Sequence, residues 1–337
     1  MNGDLDVQEA ARASEEEPAD RAPRGDAVRQ RIQSVGIGAV FVMIVVTFTA
    51  LTDQFFTSSN AINILAGAAV IGIVAIGQTL AIISGGFDLS VGGTVPLGSV
   101  LFAIWVNAGY GLPLSILLVL LVGGVVGLVN GLVISKVGVN PLITTLATLS
   151  ITGGLAFTIT GGQTKTFNNP GDGLLANPSL GGIPNYVGLL IVLSLLGHIF
   201  LRYTVVGRII YSLGGNREAS WLAGVRVDAM TTFVYVICGA LAGFAGAILA
   251  SQLLAGSGNL GVTSSLVSIS AVILGGASLS GGVGGMPGTL IGVLVLGALA
   301  NGLTLLQVSP FYQQIATGVV LLVAVAFGRL RTGLSTD

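Results

Sequence analysis

The sequence predicts an all-α, polytopic membrane protein, and three observations carry that reading. Hydrophobic residues make up 53% of the 337 and charged residues only 8%, where soluble domains carry roughly 25% charged residues. The few charges are crowded: eight of the 14 acids and five of the 13 bases precede Ile32, and none lies between Ala229 and Gly328. The remaining apolar stretches are long enough for about ten helices of the ~20 residues that a bilayer requires. A soluble enzyme is excluded on composition. The net charge of -1 offers no basic face for a nucleic acid. One Cys and one His cannot form a disulfide or a three-ligand metal site, so no metal or cofactor is expected.

Taken in order, residues 1–31 contain Glu15-Glu16-Glu17, Pro18 and Pro23. They have too little apolar surface to offset the entropy of ordering them, and a disordered tail is expected. The first apolar run follows a long acidic segment rather than opening the chain, so it reads as a retained anchor and not a secretory signal. Residues 32–330 form one transmembrane domain, followed by a short tail at 331–337. Within the domain, helices are expected near 34–52, 61–83, 91–108, 113–134, 141–160, 186–202, 230–254, 264–280, 288–306 and 311–328. An even count puts both ends on one side, together with Lys136, Arg202, Arg208, Arg217, Arg226, Arg329 and Arg331. The positive-inside rule makes that side cytoplasmic. Only Lys165 falls opposite, in the segment 161–184, which is expected to be the largest exposed stretch outside. His198 sits near the cytoplasmic end of an apolar helix with no paired group, as an ordinary helix-end residue.

Glycines recur every four residues at Gly123, Gly127 and Gly131, at Gly239 and Gly243, and at Gly288 and Gly292, a spacing that lets helix backbones approach in lipid. The run Gly85-Gly86-Phe87-Asp88-Leu89-Ser90-Val91-Gly92 is echoed by Gly275-Gly276-Ala277-Ser278-Leu279-Ser280-Gly281-Gly282, and Asn130-Gly131-Leu132 by Asn301-Gly302-Leu303. Their offsets, 190 and 171, disagree. A duplicated transporter fold and biased Gly/Ser composition both produce such echoes.

Two segments stand out chemically. Around Asp88, the glycines permit an interrupted backbone between two spans. A carboxylate near a membrane is costly unless paired, which makes Gly85, Gly86, Asp88, Ser90 and Gly92 candidates for translocation or gating. Asp88 equally suits the cap of the next helix, accepting from the N–H of Ser90 or Val91. The second is the charged stretch Arg202 to Asp228. Asn216 there is a good N-cap, Glu218 falls in the first turn, and Gly224 is a good stop, giving a two-turn helix outside the membrane. Ala219, Leu222 and Ala223 share one of its faces beside Arg217 and Glu218. So short a helix is stable only when docked. A solvated loop obeying the topology rule is the alternative.

Several of these runs resemble the ribose-type permeases of ATP-binding-cassette sugar importers. They are Ile76-Gly77-Gln78-Thr79-Leu80-Ala81-Ile82-Ile83-Ser84 continuing through Gly92, Asn130-Gly131, Asn140-Pro141-Leu142-Ile143-Thr144-Thr145-Leu146, Gly215-Asn216-Arg217-Glu218-Ala219, Ile273-Leu274-Gly275-Gly276, and Val308-Ser309-Pro310-Phe311-Tyr312-Gln313-Gln314. The resemblance spans about residues 34–328. It implies two permease subunits, identical or homologous, forming one pathway; two cytoplasmic ATPase subunits; and an extracytoplasmic binding protein delivering a monosaccharide. It also implies that Asn216, Arg217, Glu218, Ala219, Leu222 and Gly224 belong to the coupling helix that contacts the ATPase. Phe87 stands where an aliphatic residue is usual, and Ser220 replaces the second alanine of the coupling pattern, small enough to keep the docking face. The chain lacks the Gly-x-x-x-x-Gly-Lys-Ser/Thr phosphate cradle, so hydrolysis is expected in a partner and not here. An ion-coupled secondary transporter is the alternative, with Asp88 its one intramembrane carboxylate.

Overall fold

The computed structural model describes residues 24–167, 175, 178–180 and 182–333. Residues 1–23 of the tail expected at 1–31, residues 334–337 of the tail expected at 331–337, and parts of the segment 161–184 lie outside the described residues. Twelve α-helices follow in order among those described: α1 (Arg24–Leu51), α2 (Ser58–Ile83), α3 (Val91–Asn107), α4 (Gly111–Leu132), α5 (Pro141–Thr160), α6 (Asn185–Tyr203), α7 (Val205–Gly215), α8 (Arg217–Leu222), α9 (Val227–Leu253), α10 (Ser264–Leu274), α11 (Met286–Leu305) and α12 (Pro310–Gly333). A π-helical turn, Val133–Val137, continues α4.

The polytopic helical class is seen, and each of the ten expected spans has a helix. Three expectations change. The backbone is helical from Arg24, so the boundary placed at residue 31 falls inside α1. The span expected at 264–280 stops at Leu274, because Gly275-Gly276 ends it. Residues 205–215, read as loop, form α7. The missed signal is Val205, Val206, Ile209, Ile210 and Leu213 at helical spacing, after Thr204, whose side chain accepts the Gly207 N–H (3.0 Å). Among the described residues, six helices are long and apolar enough to cross a membrane: α2, α4 with its π turn, α5, α6, α9 and α11. The 17 residues of α3 and the 11 of α10 fall short of the ~20 that span hydrocarbon.

Buried residues line nearly the whole of α3 and the inner halves of α2 and α9, so these three form the centre. Outside them α4, α5 and α6 present Leu117, Leu121, Val125, Ile143, Ile151, Ile191 and Leu195 outward, as lipid-facing helices do. Small residues make the close packing possible, as their spacing predicted. A methyl on Gly98 of α3 would stand 2.6 Å from the Gly243 carbonyl oxygen of α9, and one on Gly127 of α4 only 2.6 Å from the Tyr235 carbonyl carbon. Gly123 and Gly239 face each other in the same seam, and Gly288 and Gly292 of α11 pack on the end of α10.

Contacts between distant segments define two ends of the molecule. At one, β1 (Lys165–Thr166) pairs antiparallel with β4 (Ala255–Gly256), and the Asn107 side chain at the end of α3 donates to the Thr166 carbonyl (2.9 Å). A short hairpin of β2 (Pro178–Leu180) and β3 (Ile183–Pro184) leads into α6. At the other, the ends of α2, α7 and α10 converge, and Lys136, Arg217 and Asp228 form ion pairs (3.1 Å to Lys136, 3.9 Å to Arg217).

Candidate translocation and coupling sites

The interrupted segment begins where α2 ends in a left-handed glycine cap. Gly85 N–H donates to Ile82 O (3.0 Å), Gly86 N–H reaches back to Ala81 O (2.9 Å), and Gly85 has φ +88°, the backbone state open to glycine at little cost. The echoed segment closes α10 in the same way. Gly276 N–H donates to Ile273 O (2.9 Å), Ala277 N–H to Val272 O (3.2 Å), and Gly276 has φ +90°. The two caps align with Gly85 on Gly276, one residue off the register that the sequence suggested. The other echo has no such counterpart: Asn130 is fully buried and hydrogen-bonded, whereas Asn301 is half-buried with its Oδ1 unpartnered among the described residues.

Asp88 sits beyond the first cap, fully enclosed. Its Oδ1 accepts the Ser90 N–H (2.9 Å) and the Ser90 hydroxyl (2.5 Å). The carboxylate thus takes one of the N–H groups that open α3, as the capping alternative expects, although Ser90 occupies the cap position itself. Its backbone is held as firmly: the Gln78 side chain of α2 donates to the Asp88 carbonyl and accepts the Asp88 N–H (3.2 Å). From Ser90 the chain of bonds runs outward, Asn130 Nδ2 of α4 donating to Ser90 Oγ (2.8 Å) and Thr148 Oγ1 of α5 donating to Asn130 Oδ1 (2.6 Å). Asp88 Oδ2 has no oxygen or nitrogen partner among the described residues; beside the carboxylate lies the buried Cys238 thiol of α9, at most a weak donor.

Four helices therefore hold one loop. Gln78 and Asn130 entered the sequence reading only within longer runs, and neither they nor Thr148 and Cys238 were singled out as site residues. The available signal was an amide side chain in the middle of an apolar run, at Gln78 and Asn130, which membrane burial makes costly unless it is bonded. The other candidates lie around this network. Gly86 sits under the Tyr235 hydroxyl, which donates to the Phe87 carbonyl (3.3 Å), and a methyl on Gly92 would stand 2.9 Å from Ser265 Oγ of α10. Gly85 is exposed.

The second site is α8. Asn216 Oδ1 accepts the Ala219 N–H (2.9 Å), Glu218 lies in the first turn, and Gly224, at φ +82°, follows the helix as its stop, all as the spacing predicted. Trp221 and Leu222 are 66% and 72% exposed, with Ala219 and Ala223 also open. Ser220 departs from expectation. It is buried, and its hydroxyl donates to the Asn216 carbonyl (2.9 Å), so it supports the helix from behind rather than belonging to the exposed face. Beside α8 lies an open groove of about 730 Å³ lined by Lys136, Arg217, Glu218, Trp221, Arg226 and Asp228.

Residues 60–325 match the family described as branched-chain amino acid transport system / permease component. The chain belongs to this permease family. The permease is 37% identical over 303 residues to a ribose import permease protein of Bacillus subtilis, covering 89% of this chain and 94% of the relative. To the ribose import permease protein of Escherichia coli K12 it is 38% identical over 292 residues, covering 85% and 90%. It is 36% identical over 304 residues to an L-arabinose ABC transporter permease protein of Azospirillum brasilense, covering 90% of each. No solved structure matches it significantly. The permease is thus a multi-pass membrane protein, and both candidate sites fall inside the matched region.

Proposed function

We infer that this permease forms the translocation pathway of an ATP-binding-cassette importer for a monosaccharide, a ribose-like pentose or a hexose. Relatives covering most of the chain are ribose and arabinose permeases. The observation that carries the energetic half of the reading is α8. It is a capped two-turn helix with Trp221 and Leu222 turned outward, in a chain without a phosphate-cradling motif. Apolar side chains on an exposed helix that short are stabilised by a partner, and an ATPase subunit supplies one.

On this reading ten helices pass through the membrane, with the short α3 and α10 completed in depth by their interrupted segments. The end holding Lys136, Arg202, Arg208, Arg217 and Arg226 is cytoplasmic, as are both termini. Two permease subunits enclose the pathway, and a binding protein delivers the sugar at the Lys165 end. ATP binding biases a two-state equilibrium between inward and outward access through contacts that differ between the states. The broken segment at 84–93 serves gating, with Asp88 and Ser90 fixing its geometry. Asp88 is fully buried with its Oδ1 committed to Ser90, which favours a structural role for it over ion coupling.

Uptake of labelled ribose and arabinose by vesicles holding the permease, its ATPase and its binding protein tests the reading. Uptake should stop when the ATPase is disabled and persist when the proton gradient is collapsed. The opposite pattern would establish ion coupling.

A further inference from the structure

Three segments far apart in sequence meet at glycines at the arginine-rich end of the permease. A methyl on Gly214, in the last turn of α7, would overlap the Ile83 carbonyl oxygen and the Gly282 nitrogen. One on Gly281 would stand 2.8 Å from Gly214 Cα and 2.9 Å from Gly85 Cα, and one on Gly282 3.1 Å from Gly215 Cα. Hydrogen bonds reinforce the junction. Gly282 N–H donates to the Ile83 carbonyl (2.9 Å), and the Tyr211 hydroxyl of α7 donates to the Gly284 carbonyl (2.8 Å). Ile83 ends α2, so its carbonyl lacks an intrahelical partner, and the α10–α11 segment provides one.

A single residue joins this junction to α8. Asn216 ends α7, its N–H donating to the Ser212 carbonyl (2.9 Å), and begins α8, its side chain accepting the Ala219 N–H. The two helices share one cap and form a stiff elbow. The geometry points to Gly214 and Tyr211 as positioning residues of transport: through them α7 transmits movement of α8 to both interrupted segments, 84–90 and 275–285, at once. Backbone packed on backbone has no side-chain rotamers with which to absorb a displacement, and so close-packed a junction transmits strain. α8 also meets α9 through the short link 223–226, where the Val225 N–H donates to the Ser220 carbonyl (3.1 Å), and through the Arg217–Asp228 pair, from which Asp228 pairs onward with Lys136; this route reaches α9 and α4 and neither interrupted segment directly. The side chains of both ion pairs are 43–64% exposed, and exposed pairs couple weakly.

This inference rests on the proposed docking of an ATPase at α8, and the test separates the two. In the reconstituted complex with ATPase and binding protein, Gly214→Val, Gly214→Ala and Tyr211→Phe are compared for ATPase retained on the permease and for sugar moved per ATP hydrolysed. Retention should match the unsubstituted complex, because α8 is untouched. Sugar moved per ATP should fall about tenfold for Gly214→Val, from overpacking, and about fivefold for Tyr211→Phe, from one lost hydrogen bond, with Gly214→Ala between them. If Gly214→Val fails to assemble, Tyr211→Phe decides, since it removes one hydroxyl and no volume. An unchanged sugar-to-ATP ratio in the variants that assemble would overturn the inference, as would retention falling in step with transport. Failure of the unsubstituted permease to retain the ATPase would instead refute the docking at α8.

Discussion

The seam between α4 and α9 offers a test in which two neighbouring glycines respond in opposite directions. At Gly127 a methyl would stand 2.6 Å from the Tyr235 carbonyl carbon and 2.8 Å from Val236 Cα, while at Gly124, one turn away, its nearest neighbour would be Val236 Cγ1 at 3.8 Å. Backbone cannot swing aside, so Gly127→Ala forces the helices apart by roughly 1 Å, which forfeits about a quarter to a half of each contact's attraction. For on the order of 50 close pairs at ~0.15 kcal/mol, the loss is about 2–4 kcal/mol. The better helix propensity of alanine returns ~1 kcal/mol. Gly127→Ala therefore destabilises by about 1–3 kcal/mol, whereas Gly124→Ala, which gains the propensity without the clash, is neutral or stabilising by up to ~1 kcal/mol. The chain supplies its own reporter: Cys238, its one cysteine, is fully buried on α9 beside this seam. Thermal exposure of that thiol to a fluorogenic maleimide in detergent should begin at lower temperature for Gly127→Ala and at an unchanged or higher one for Gly124→Ala. Equal midpoints for the two variants would refute the claim that backbone contact at this seam sets stability.

Asp88→Asn keeps an oxygen for the Ser90 N–H and should preserve most sugar uptake. Asp88→Leu strands the buried Ser90 N–H and hydroxyl at about 1–3 kcal/mol each and should abolish uptake or membrane yield; normal uptake with leucine would show that the network is dispensable. Removing the α8 cap with Asn216→Ala costs about 1 kcal/mol and should weaken ATPase binding about fivefold in a pull-down titration, with membrane yield unchanged. Ala219→Trp obstructs the exposed face, and Gly224→Asp burdens a φ of +82° and adds an anion near the helix's negative end. Each should leave the permease folded but unable to stimulate ATP hydrolysis, and normal sugar-dependent hydrolysis in both would place the coupling surface elsewhere. In intact cells with Cys238 replaced by Ser, Gln163→Cys should react with an impermeant maleimide and Gly215→Cys should not; the reverse pattern would invert the topology.

The amino-acid sequence by itself determined the apolar helices, the caps of α8 and the glycine seams. Each depends on neighbours within a turn or two: about twenty apolar residues must bond their own backbone in lipid, Asn216 reaches an N–H three residues on, and small residues four apart share one helix face. The ends of α1 and α10 were harder to place, because the first carries charges into a helix and the second is cut short by a glycine cap that composition resembles only loosely. Only the tertiary structure decided which polar groups meet. Gln78, Asp88, Asn130, Thr148 and Cys238 come from four helices and one loop, and nothing local to Asp88 reveals that its hydroxyl partner is tied onward to α4 and α5. The inward turn of Ser220 and the meeting of Gly85, Gly214, Gly281 and Gly282 are of the same kind. They are set by how helices cross, and a glycine that permits a crossing carries no side chain to announce its partner.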